Sequence, residues 1–374
     1  MIRVMQINLG ESYGGVSSML FNLYAEMDHS KVTFDFVAPK CTSFRSKEKE
    51  IEKMNGRIIE LKTEGNLFKR KIEFFFRLSR LIKSMRYKIV HINSGSTLFN
   101  VQVALIAKIC GVKRIIVHSH NAGNDSGLKR FLMKVSKPLL EMSATDFFAC
   151  SNKAARYMFL NRRYREKNFV LIKNAVDINK FKFSNTDRNI YRKRYGLNGK
   201  KVILHVGRFS NQKNHSFLVD IFDYLNKMND DTRLVLVGVG ELQEDIIKKV
   251  NLLGLSSKVL FMNLRSDINH LMSMSDVLVL PSFYEGLPVV GIEAQASGLN
   301  CVFADTITDE VNLTEYNKFI SLSASLDVWS KSITELSEIK MDLVNRLEKS
   351  KIVEENGYSI SSVSKKLEKF YLNT

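Results

Sequence analysis

Short runs of aliphatic and β-branched residues recur along the chain, each ended by a turn signal and followed by a stretch with apolar positions at helical spacing. Residues 2–8 read as a first strand leading into a helix over about 16–27. Residues 201–214 hold a strand that runs into a Gly-Arg turn and a lysine ahead of another helix. Residues 276–280 form a short buried strand that Pro281 ends, and 289–296 propagate the next helix. A last helical pattern spans about 361–372. Such βαβ order implies parallel sheets covered by helices. The 374 residues, 45% hydrophobic, suit two domains of about 180 residues each. The boundary is expected near residue 180, ahead of the polar run 184–188, giving domains 1–180 and 181–360.

The densest chemistry lies between Pro281 and Gly298, where seven residues separate Glu285 from Glu293 across a turn-to-helix junction. Gly286 frees the backbone to approach a ligand, and Pro288 suits a first helical position because its missing N–H would be unpaired there. The amides of Gly286, Leu287 and Val289 then point out of a positive helix end, a site for phosphate. Neither carboxylate is placed to bind that phosphate, and carboxylates facing neutral ligands accept hydroxyl hydrogen bonds. Sugar hydroxyls flanking a diphosphate, hence a nucleotide sugar, fit this pattern. A plain amphipathic helix with a dipole-favoured N-terminal glutamate fits the spacing as well. Arg208 offers a fork of donors for phosphate oxygens, and Lys213 adds a point charge nearby, both beyond the C-terminal end of a parallel strand, where open α/β sheets bind ligands. After the first strand come Gly14 and Gly15. In residues 114–122, alternation turns His118 and His120 to one face beyond an apolar strand. No third histidine is near them in sequence, and Cys110 and Asp125 fit no familiar metal-ligand spacing, so no metal site is expected.

These segments resemble the retaining glycosyltransferases of family 4, with the glutamate-x7-glutamate motif of the GT-B architecture. The resemblance implies an α/β fold of two Rossmann-like, doubly wound domains facing across a cleft, with the 361–372 helix crossing back onto the first domain. It implies that Glu285 holds the donor sugar and Glu293 the ribose, while Arg208, Lys213 and the amides after Glu285 neutralise the departing diphosphate. Gly14 and Gly15 match the family's paired-glycine loop beside donor and acceptor. One of the two histidines takes the place of the active-site histidine, and His120, farther past the strand end, is favoured over His118. Residues 173–181 resemble the interdomain segment, with Ala175 in place of a glycine. Residues 234–241 resemble a strand and loop of the nucleotide domain, but as a dinucleotide fingerprint they fail, because Gln243 stands where the third glycine should be. Residues 259–267 resemble the strand end that contacts the base, which puts Arg265 near it. Uridine diphosphate is the family's commonest nucleotide. The expected acceptor is a lipid-linked saccharide of cell-surface polysaccharide assembly, and the absence of an Asp-x-Asp triplet points to metal-independent transfer.

Charge changes the picture of one domain only. Residues 1–180 carry 32 Lys and Arg against 15 Asp and Glu, whereas the remainder is balanced at 24 against 24, so the whole excess of +17 is N-terminal. Its densest stretch, residues 67–86, interleaves basic and aromatic residues at helical spacing, and residues 162–165 add three arginines. A basic amphipathic helix of this type lies on anionic bilayers, although a core-facing aromatic stripe backed by solvated lysines reads the same way. No secretory signal and no run of about 18 apolar residues is present. The four cysteines, Cys41, Cys110, Cys150 and Cys301, have no metal-ligand spacing. A cytoplasmic protein peripherally associated with the inner face of the plasma membrane is expected. Two other classes compete. A sugar-nucleotide epimerase shares the fold without needing an acceptor. A nucleic-acid binder explains the charge but leaves Glu285, Glu293, Arg208 and Lys213 without a role, so no nucleic-acid partner is expected.

Overall fold

The computed structural model describes residues 1–7, 15–39, 42–120, 127–160, 168–339 and 343–373. They form two compact units, Met1–Ala175 with Ile360–Thr374, and Val176–Ser359.

The first unit contains β1 (Ile2–Ile7), β2 (Val32–Ala38), β3 (Arg57–Glu60), β4 (Ile89–Ile92), β5 (Arg114–Ser119), β6 (Asp146–Ala149) and β7 (Phe169–Leu171). They pair in the order β3-β2-β1-β4-β5-β6-β7, every pair parallel. Alternate residues serve opposite faces: Met5 and Val90 join one core, Val4 and Ile89 the other. The Leu67–Met85 helix is capped by Asn66, whose side chain accepts the Lys69 amide at 2.9 Å, and it buries Phe74, Leu78 and Ile82 at a spacing of one turn. The Ile360–Leu372 helix packs on the Gly15–Ala25 helix over the other face, with Val363, Leu367 and Tyr371 buried and Ser364 Oγ donating to the Leu23 carbonyl.

The second unit contains β8 (Lys201–Val206), β9 (Thr232–Val237), β10 (Val259–Met262), β11 (Val277–Leu280), β12 (Asn300–Ala304) and β13 (Lys318–Ile320), in the order β10-β9-β8-β11-β12-β13 and again all parallel. Val202, Leu204 and Leu278 enter one core and Ile203, Val277 and Val279 the other, so these strands are apolar on both faces.

Both sheets are doubly wound. The chain builds outward from β1 and then restarts at β4 on its other side, and likewise from β8 and then β11. Crevices beyond the carboxyl ends of such paired strands are where open α/β sheets take ligands.

Candidate active site

In the second unit both charged segments leave the strands that flank the reversal. After β8 the chain passes Gly207 and Arg208, makes a single 3-10 turn at Asn211–Lys213, and enters the His215–Met228 helix through Asn214 at φ 54°. Asparagine tolerates this left-handed conformation better than most residues, and there it ends the 3-10 turn at Lys213. After β11 come Pro281 and the turn to the Val289–Ala296 helix. The two loops are tied together. The Phe283 amide donates to the Gln212 carbonyl at 2.9 Å, Gln212 Nε2 donates to the Tyr284 carbonyl at 2.9 Å, and Lys213 Nζ meets Glu285 Oε1 at 2.5 Å. Gln212 Nε2 also approaches Glu285 Oε2 at 3.4 Å.

The helix after Glu285 begins one residue later than expected. Pro288 is its N-cap, at φ −70° and ψ 107°, and Val289 is its first residue. A proline side chain offers no cap acceptor. The amides of Gly286, Leu287, Val289 and Val290 have no acceptor among the described residues, while that of Gly291 donates to the Pro288 carbonyl. A row of free donors at a positive helix end suits an anion. Glu293 lies on the next turn, and its carboxyl makes no hydrogen bond among the described residues. Burial pushes its carboxyl up to about 7, with Lys180 pulling the other way, although the side chain keeps some contact with solvent.

Arg208 is mostly exposed and pairs with Glu241, itself exposed, through Nη2 at 3.1 Å. Such a pair is weak and screened by salt, so the guanidinium can be surrendered to a stronger anion. Glu241 follows the glycines of the β9 loop. A side chain on Gly238, at φ +144°, would meet the Gly207 carbonyl at 2.1 Å, and one on Gly240 would meet Phe209 backbone at 2.4 Å. These glycines let two loops pack backbone against backbone, a reason for the Gly-x-Gly pattern that involves no dinucleotide. Arg265 is committed elsewhere: Nε and Nη2 grip both carboxylate oxygens of Asp267 at 2.8 and 2.5 Å, and Tyr191 donates to the same carboxylate at 2.8 Å. That grip holds the Asp267 carboxyl down at about 2.

In the first unit, Gly14 and residues 162–165 lie outside the described residues. Gly15 starts its helix, and nothing among the described residues would crowd a side chain there. His118 and His120 share a face, their ring centroids 3.9 Å apart, and the fold brings up a third histidine, His91 of β4, 5.3 Å from His118. Among the described residues, no group of three or more His, Cys, Asp or Glu side chains is arranged to hold a metal ion. A single polar chain organises the cluster instead. His120 Nε2 lies 2.9 Å from Asn93 Oδ1, Asn93 Nδ2 donates to Gln6 Oε1 at 2.8 Å, Gln6 Nε2 donates to the Tyr371 hydroxyl at 3.2 Å, and that hydroxyl lies 2.6 Å from His91 Nδ1. The donors run in one direction, which puts the His120 proton on Nε2 and leaves Nδ1 as a bare acceptor without a partner among the described residues. Burial pushes His120 and His91 down to about 3 and His118 well below its usual range, so all three stay neutral. His118 is 1% exposed, and neither of its ring nitrogens has a partner among the described residues.

Comparison with known proteins leads to glycosyltransferases. A family model described as "Glycosyltransferase Family 4" matches residues 13–180 and one described as "Glycosyl transferases group 1" matches residues 187–359. EpsF of Bacillus subtilis (strain 168), named as a glycosyltransferase, is 33% identical over 338 residues, covering 88% of this chain and 86% of its own. The chain belongs to the family 4 glycosyltransferases. This glycosyltransferase is also 28% identical, over 79% of its length and 78% of the relative's, to the UDP-Gal:alpha-D-GlcNAc-diphosphoundecaprenol alpha-1,3-galactosyltransferase of Escherichia coli. Its fold is GT-B, similar to that of Anabaena HepE in complex with UDP, with TM-score 0.80 at 18% identity and full coverage of both chains.

Reading the sequence missed Gln212, Asn93, Gln6, His91 and Tyr371 as site neighbours. Only Gln212 carried a local signal, being adjacent to Lys213. The others meet through strand pairing, Gln6 opposite His91 in the β1–β4 register, and through the return of the last helix, neither of which leaves a spacing in the chain.

Proposed function

We propose that this glycosyltransferase is retaining and moves a hexose-type sugar from a uridine diphosphate donor to a lipid-linked saccharide in cell-surface polysaccharide assembly. The observation that carries this reading is the Lys213–Glu285 pair beside the free amides of Gly286, Leu287, Val289 and Val290, in the loops that leave the two strands flanking the sheet reversal. Donor diphosphate takes Lys213, Arg208 and the amides, releasing Glu285 to accept hydrogen bonds from the sugar. Gly14 and Gly15 let backbone pass close to that diphosphate. Glu293 accepts from the ribose, and Arg265 stays near the base only as far as its Asp267 partner allows. As the bond from the anomeric carbon to phosphate oxygen loosens, the cations and amides absorb the developing charge, which they do best in a pre-organised site. The acceptor hydroxyl attacks from the side the phosphate leaves, and its proton passes to the departing phosphate oxygen. His120 lines the reacting centre and offers Nδ1 to a sugar hydroxyl. No step calls on a metal ion.

The Escherichia coli relative, whose name gives UDP-Gal as donor and a diphosphoundecaprenol-linked sugar as acceptor, and the UDP-bound HepE support the choice of donor and acceptor class. No helix among the described residues is long and apolar enough to cross a membrane. Peripheral attachment at the inner membrane face through the basic Leu67–Met85 helix fits such an acceptor, each near-surface charge contributing roughly 1 kcal/mol. Incubation of UDP-sugars with a synthetic diphospholipid saccharide tests the proposal. The product linkage should keep the donor's anomeric configuration, with and without chelator. An inverted linkage refutes the retaining mechanism, and isomerised donor in the absence of acceptor points to an epimerase. Attachment through the 67–85 helix fails if neutralising Lys69, Arg70 and Lys71 leaves sedimentation with anionic vesicles unchanged.

A further inference from the structure

The Gly127–Ser143 helix is amphipathic in the opposite sense from a helix that only covers a sheet. The side chains it turns inward include Ser136, Leu140, Glu141 and Ser143, all 5% exposed or less. Both serines donate to their own helix, Ser136 to the Leu132 carbonyl at 2.6 Å and Ser143 to the Leu139 carbonyl at 2.8 Å, and Glu141 accepts the Leu160 amide at 3.0 Å. Apart from Leu140, the large apolar residues of its second half point the other way. Phe131, Val135, Leu139 and Met142 are 63, 55, 49 and 71% exposed, and their positions in the sequence put them in one stripe along the helix. Among the described residues, nothing covers this stripe, which is an unpartnered surface in water.

Its surroundings indicate what covers it. The Thr97–Ile109 helix packs beside it and the Leu67–Met85 helix beside that, adding outward Ile109, Phe68 and Phe76 to the same face of the sheet. The three helices carry 11 Lys and Arg against two acids. Neither acid is free, for Glu73 pairs with Arg77 at 2.6 Å and Glu141 is buried. An apolar ridge set in positive charge with no free carboxylate complements an anionic lipid surface, apolar groups entering the acyl boundary and lysine heads staying among the phosphates. A second copy of the same face would bring like charge against like charge.

We infer that the 131–142 stripe of the Gly127–Ser143 helix inserts into anionic bilayer and is the apolar anchor of the first unit. This deepens the membrane reading above, which gives the contact to the charges of the Leu67–Met85 helix, by naming the element that enters the lipid.

The test uses the full chain with vesicles of phosphatidylcholine alone or containing about a third phosphatidylglycerol. Its one tryptophan, Trp329, is buried in the second unit, so Leu139→Trp adds a distinct reporter. Leu139→Trp fluorescence should be quenched by brominated acyl chains in the anionic vesicles. The double variant Val135→Glu with Met142→Glu, at exposed positions that leave packing alone, should lower partitioning about tenfold or more, as expected for losing buried apolar area and adding charge. If the double variant sediments like wild type and Leu139→Trp is not quenched while anionic vesicles still bind the protein, this inference fails and the charge-only reading stands. If wild type ignores anionic vesicles, both fail. A dimer in solution that the double variant abolishes, with vesicle binding intact, assigns the stripe to a second copy and overturns the proposal.

Discussion

The two units of this glycosyltransferase share one sheet design and manage their polar groups in opposite ways. In the second, the Lys213 and Glu285 side chains pair with each other, Gln212 Nε2 approaches the same carboxylate, and Arg208 pairs with a solvent-exposed glutamate. In the first, His120 is held at one end of a buried chain that runs through Asn93, Gln6 and Tyr371 to His91. The first arrangement is made of partners a ligand can displace. The second is closed, and it delivers a neutral ring with a fixed tautomer. In the proposed reaction, charge that must move toward substrate is kept loosely paired, whereas a group needed for its shape and proton position is locked.

The largest test of that contrast is to remove the displaceable partners. Glu285→Ala, and separately Arg208→Ala with Lys213→Ala, should each lower turnover by about 10²- to 10³-fold, the scale for losing pre-organised electrostatic stabilisation. Circular dichroism and a melting temperature within a few degrees of wild type would show that the fold persists. Near-wild-type turnover in either folded variant breaks the assignment.

A middle-sized effect is expected on the locked side. Asn93→Ala leaves His120 Nε2 and Gln6 Oε1 buried without partners, and should destabilise the protein by about 1 to 3 kcal/mol in urea unfolding. Turnover should also fall, because the tautomer is no longer fixed. A loss of stability with unchanged kcat would make the chain structural only.

The smallest effect separates Glu293 from the other carboxylate. Burial pushes its carboxyl up to about 7 from the usual 4.5, so ionising it opposes folding. That penalty is absent below about pH 4.5, grows as pH rises to about 7, and stays constant above. Glu293→Gln should therefore match wild type near pH 4 and exceed it in stability above pH 7, by on the order of 1 kcal/mol given the side chain's partial exposure. Equal pH profiles for the two proteins refute the shifted carboxyl.

What the chain reveals in advance follows the same division. The second unit's loops were legible because each is a continuous segment: strand, turn, charged residue and helix lie within about twenty residues, and turn chemistry and helix-end physics act locally. Even there Pro288 proved a cap, since the exact helix start depends on how the turn closes. Arg265 was legible as a strand-end cation, but its pairing with Asp267 and Tyr195 was not. In the first unit the shared face of His118 and His120 was readable from alternation, whereas His91 and Tyr371 are 280 residues apart in the chain and meet only once the sheet is built. Within residues 67–86, Phe74, Leu78 and Ile82 point inward as a core-facing stripe requires, while Phe68, Ile72 and Phe76 point out. Periodicity fixes that a stripe exists without fixing which way it points, which is why the inverted 127–143 helix passed unnoticed.

Tyr371 belongs to a helix that is made only after the whole second unit, yet it completes a cluster seated on the first strand. During synthesis the second unit, one uninterrupted stretch, has all its parts as soon as residue 359 has emerged. The first must wait, its histidines lacking their seal until residues 360–371 have followed. The unit begun first is completed only after the second, so a nascent chain stalled near residue 359 would present a whole second unit and an unfinished first one.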